Sequence, residues 1–89
     1  MSTVALMETL LRDAFAPQRL DIRDDSHLHA GHTGVKERGG GHYHLTLISD
    51  RFEGLRPVAR HRLVYQCLAP IQSQIHALSM HILTPAEAP

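Results

Sequence analysis

From Val4 to Phe15 the apolar residues Met7, Leu10, Leu11, Ala14 and Phe15 recur at helical spacing, with Glu8, Arg12 and Asp13 on the other side. This pattern predicts a first helix, and Pro17 stops it. Leu20 and Ile22 then alternate with Asp21 and Arg23 as a short half-buried strand ending near Asp24, Asp25 and Ser26. Residues 27–41 carry Gly31, Gly34 and the triplet Gly39, Gly40, Gly41 without periodicity, which predicts a long flexible loop. Tyr43, Leu45 and Leu47 alternate with His44, Thr46 and Ile48 as a second strand, and Asp50 to Gly54 form the turn out of it.

Pro57 suits the first turn of a second helix, with Ala59, Leu63, Val64, Cys67, Leu68 and Ile71 as its inner face. Arg60 falls within that stripe and needs a partner or a route to water; Asp50 and Glu53 are the nearest carboxylates in sequence. Pro70 ends or kinks the helix. Leu78, Met80 and Ile82 alternate with Ser79 and His81 as a last strand, and residues 84–89 read as a frayed tail. The order αββαβ predicts an α+β domain spanning residues 1–89, with a three-stranded mixed sheet and both helices on one face.

At 89 residues, 43% hydrophobic and 20% charged, the chain has room for one core and little for a deep cleft, which argues for a binding module over an enzyme. Nine basic residues balance nine acidic ones, so no long-range field draws in nucleic acid or a membrane, and any such contact needs a local patch. A single cysteine, Cys67, excludes an internal disulfide framework and points to a reducing, cytoplasmic setting. The charged N-terminal segment is read as part of the fold rather than as a signal peptide or membrane span.

Histidine is the anomaly. There are eight, and His27, His29, His32, His42 and His44 fall within 18 positions. The His-x-His pairs at 27/29 and 42/44 together with His32 offer enough nitrogens for zinc, but no cysteines stand at structural-zinc spacing. Cys67 lies on the buried stripe, where a thiol acts as a small hydrophobe with a raised pKa. No hydrolase elbow, phosphate loop or carboxylate pair is present. Arg51, Arg56, Arg60 and Arg62, with His61, make a basic segment around the turn into the second helix. Gly31-His32-Thr33-Gly34 has the letters of a KH clamp, but it lies between strands instead of helices and is treated as coincidence.

The string Ser49-Asp50-Arg51-Phe52-Glu53-Gly54, followed by Arg60-His61-Arg62-Leu63-Val64-Tyr65 and Ile75-His76-Ala77-Leu78-Ser79, closely resembles the signature of the BolA family. Leu20 to Ser26 and Gly41-His42-Tyr43 resemble that family's first strand and the entry to its second, so the match covers nearly the whole chain. The resemblance implies a fold similar to class II KH domains. It also implies a partnership with a monothiol glutaredoxin, in which the two proteins share a [2Fe–2S] cluster for delivery or iron sensing. The glutaredoxin would supply its cysteine and a bound glutathione thiol. This chain would supply His76 and a ligand from the loop between the first strands: His29 is favoured, His27 and His32 are close rivals, and His42 matches a recurrent family position. No cluster is expected to stay tightly bound in the isolated protein, which would be a monomer or weak homodimer. The family also includes transcriptional regulators, so the alternative is a DNA-binding protein using the segment from Arg51 to Arg62.

Overall fold

The computed structural model describes residues 2–25 and 41–89. Helix α1 (Thr3–Phe15) starts where the Ser2 hydroxyl accepts the Ala5 N–H at 3.0 Å. It stops at Ala16, which turns into the left-handed region at φ 43° and donates its N–H to the Arg12 carbonyl. Met7, Leu11 and Phe15 form its buried stripe.

Strands β1 (Arg19–Asp24), β2 (Gly41–Ile48) and β3 (Ile75–Leu83) form one sheet in that order, β1 antiparallel and β3 parallel to β2. The α+β fold with a three-stranded mixed sheet is the one the sequence predicts. Tyr43, Leu45 and Leu47 of β2 are buried against the helices, with Leu20 and Ile22 beside them on β1 and Leu78, Met80 and Ile82 on β3. Gly41, placed in the loop by its glycine context, instead opens β2 as a buried residue opposite Ile75.

A 3-10 turn (Asp50–Phe52) follows β2, and Gly54 takes the φ of 78° that completes it. Phe52 is fully buried, with its ring centroid 4.8 Å from that of Phe15. Buried Ser49 ties three elements together: its hydroxyl donates to the Phe15 carbonyl at 2.6 Å and accepts the Arg51 N–H, while its own N–H reaches the Leu83 carbonyl.

Helix α2 (Pro57–Leu68) turns Arg60, Val64 and Leu68 inward at four-residue spacing. Because Arg60 occupies the first place in that row, Leu63 lies on the flank and is exposed, contrary to the expected inner face. After Leu68 the chain tightens into a 3-10 segment (Ala69–Gln74) containing Pro70, and buried Ile71 keeps it on the core.

The segment after β3 is not frayed. Thr84 is buried, and its N–H donates to Glu87 Oε1 at 2.8 Å. Glu87 is also the partner of Arg60, at 2.6 and 3.2 Å in a two-pronged pair, displacing Asp50 and Glu53 from that expected role. The remaining Arg60 donors reach the carbonyls of Leu55 and Ile82. Hydrogen bonding from Arg60, and then from the Thr84 N–H, lowers the Glu87 carboxyl from 4.5 to about 2.

A carboxyl lowered on folding contributes stability above its ordinary pKa and loses it as pH falls through the folded value. Thermal unfolding of wild type and Glu87→Gln between about pH 6 and pH 2 should therefore differ most near pH 6 and converge toward pH 2; a constant gap would remove the pair from the acid response. In urea, Phe52→Ala should cost about 3–5 kcal/mol, because the site is sealed on all sides.

Candidate functional site

Beside β2 the register of β3 changes once. Gly41 faces Ile75, but the next β2 residue, His42, faces Ala77, so β3 carries one residue in excess at His76. Such a bulge bends the strand and re-aims a side chain. Here the exposed His76 imidazole stands with its ring centroid 5.1 Å from that of half-buried His42, at an interplanar angle of 44°. Residues on either side are tied to neighbouring elements. Asp25 N–H donates to the His42 carbonyl at 2.8 Å, and the Thr3 hydroxyl donates to Gln74 Oε1 at 2.7 Å just ahead of Ile75.

His76 also lines a groove of about 390 Å³ along the β3 edge, with Tyr65, Leu68, Gln72, Ile75 and Leu78. Tyr65 is 53% exposed although it borders this groove, which leaves an aromatic face beside the imidazole.

His42 and His76 differ in exposure. Nε2 of His42 is buried, so that ring serves as a wall against which His76 is held, while His76 is open to a ligand or partner from solvent. A neutral imidazole can donate one nitrogen to iron, zinc or copper. Among the described residues no three histidine, cysteine, aspartate or glutamate side chains converge on a metal position, so the His42/His44 pair gains no third donor there for a zinc site. His27, His29 and His32 lie outside the described residues, as does Gly31-His32-Thr33-Gly34.

The basic segment does not act as one patch. Arg60 is buried and donates to Leu55, Ile82 and Glu87, which withdraws it from the surface role expected for it. Arg51 Nη1 donates to the Ala14 carbonyl at 2.7 Å, holding the turn to the end of α1. Arg56 and Arg62 are exposed and His61 is half-buried. Burial pushes the Cys67 thiol up in pKa, the Asp13 charge adds to the shift, and the sulfur donates to the Leu10 carbonyl. That thiol is held in its less nucleophilic form. No helix among the described residues is long and apolar enough to cross a membrane.

Comparison with known proteins gives a consistent result. The family model described as BolA-like protein matches residues 11–87. The DNA-binding transcriptional regulator BolA of Vibrio cholerae is 42% identical over 83 residues, 92% of this chain and 74% of its own. The structure of BolA1 from Arabidopsis thaliana superposes with a TM-score of 0.85 at 38% identity, covering 100% of this chain and 98% of the other. The BolA domain of SufE1 from the same plant gives 0.81 at 36%, covering 99% of each.

The division between the histidines has a direct test. His76→Ala should leave stability within about 0.5 kcal/mol, since the ring is exposed, whereas His42→Ala should cost about 1 kcal/mol or more by opening a gap beside the start of β2. Urea denaturation of both variants checks this, and equal losses would mean that His76 is a packing residue.

Proposed function

The chain belongs to the BolA-like family, and on that premise we propose that it is a cytoplasmic carrier or sensor that joins a monothiol glutaredoxin and shares its [2Fe–2S] cluster through His76. The observation that carries the reading is the bulge at His76. It sets one solvent-open imidazole at the sheet edge, braced by His42 and bordered by the Tyr65 groove, which offers a facing protein both a metal donor and a contact surface.

The donor suits a cargo that must be handed on. Imidazole in place of thiolate raises the potential of a [2Fe–2S] centre and makes that end sensitive to protonation. His76 supplies one nitrogen; the glutaredoxin cysteine and the glutathione thiol are the thiolate donors, and His29 is proposed as this chain's second ligand, with His27 and His32 the alternatives in the same stretch. The chain's own task is then to hold His76 in position, present the groove and release the cargo, with no bond-making step assigned to it.

Anaerobic reconstitution with a monothiol glutaredoxin, glutathione, iron and sulfide tests this. Visible circular dichroism should show a heterodimer spectrum distinct from that of glutaredoxin alone, and His76→Ala should change it while the variant stays folded. A spectrum identical to that of the glutaredoxin alone would overturn the reading.

The name of the Vibrio relative supports a second reading, DNA binding. In this chain it would rest on exposed Arg56 and Arg62 at the start and middle of α2, without Arg60. Affinity for duplex DNA should then fall steeply with salt, and Arg56→Ala with Arg62→Ala should reduce the log–log slope by about 2; an unchanged slope would dismiss it.

A further inference from the structure

The two sheet edges are built differently. β1 carries Arg19, Asp21, Arg23 and Asp24 among six residues, and two surface ion pairs, Arg19–Asp21 at 2.6 Å and Arg23–Asp25 at 2.8 Å, run along it. Charge of this kind discourages strand addition. β3 is the longest strand of the sheet, and its nine residues include no lysine, arginine, aspartate, glutamate or proline. Among the described residues no strand pairs with its outer edge. Leu78 and Met80, which point to the helix side, are only partly covered.

We propose that this edge is a self-association surface: β3 pairs antiparallel with β3 of a second copy, about a two-fold axis through Ser79, to give a continuous six-stranded sheet. The occupant is a second copy because the strand is self-complementary in this frame. Antiparallel pairing about Ser79 sets Leu78 opposite Met80 of the second copy, and Met80 opposite its Leu78, which extends the apolar layer across the junction. On the outer face Ser79 meets Ser79, and Ala77 meets His81, so the two His81 rings are kept apart and no like charges face each other. The two α2 helices then lie side by side over the junction, bringing exposed Tyr65, which borders the groove with His76 and Leu78, toward the seam. The bulge at His76 confines regular pairing to the stretch from Ala77 to His81. So short an interface belongs at the small end of the size range, below about 1,200 Å², where association is transient. It also covers the groove beside His76, so the dimer and a complex formed at His76 exclude one another; the pairing itself does not depend on the cluster reading.

Sedimentation equilibrium from about 10 μM to about 1 mM spans the affinities such interfaces reach. The weight-average mass should rise from 9.9 kDa toward twice that value. Ser79 is exposed, so Ser79→Lys and Ser79→Glu should keep the wild-type far-ultraviolet dichroism. Each alone sets two like charges across the axis and should remain monomeric at the highest concentration, and an equimolar mixture should recover the dimer. A wild type that stays at 9.9 kDa throughout, a single variant that dimerises as wild type does, or a mixture that stays monomeric would each overturn the proposal.

Discussion

The fold depends on the parity of β2. With three strands and helices on one side only, each side chain of the central strand faces either the single apolar layer or the opposite face of the sheet. Tyr43, Leu45 and Leu47 are buried against α1 and α2, and His42, His44 and Thr46 take the opposite face. A slip of one residue would turn imidazoles into the core and strand Leu45 and Leu47 outside it. The cost would be several kcal/mol, since burying one such side chain is worth about 1.5–3 kcal/mol. Both neighbouring strands inherit this parity through their registers, so the residues that can cooperate on either face are settled once β2 is in place.

An apolar layer is non-directional, and it does not fix where elements begin and end. That task falls to two buried polar residues at the same end of the sheet. Ser49 joins the last turn of α1 to the ends of β2 and β3 through one hydroxyl and one backbone N–H. Arg60 joins α2 to the turn before it, to the end of β3 and to Glu87. A lysine could not reproduce this, because the planar guanidinium fork serves two carbonyls and a carboxylate at once.

Much of this was legible in the sequence because it is local. Period 3.6 over Met7, Leu11 and Phe15, and period 2 over Tyr43, Leu45 and Leu47, are properties of a few consecutive residues and survive in the structure. The misreadings concern partners that are distant in sequence. Arg60 demands a carboxylate, yet nothing local says that it comes from Glu87, 27 residues away, ahead of Asp50 or Glu53. Thr84 to Pro89 looked frayed because the interaction that orders them lies on another element. His76 stands out in the sequence through family resemblance, whereas the bulge that aims its side chain does not. A bulge is a mismatch between two registers, and no single strand encodes it. His42 entered as a rival ligand, and its part as the wall behind His76 follows only from the pairing of β2 with β3.

The bulge also accounts for the coexistence of an open edge and an exposed imidazole on one strand. A flat uncharged edge nine residues long would be a hazard, and the usual remedies are charges, proline or a kink. Charges on β3 would oppose the proposed pairing with a second copy, and proline would remove an N–H from the strand. A bulge near its start leaves both untouched: it limits how far another strand can add in register, and the residue it displaces is the imidazole. The irregularity that limits promiscuous pairing is therefore the same one that presents His76, and removing it to straighten β3 would be expected to turn His76 away from its position against His42 and lengthen the sticky edge at the same time.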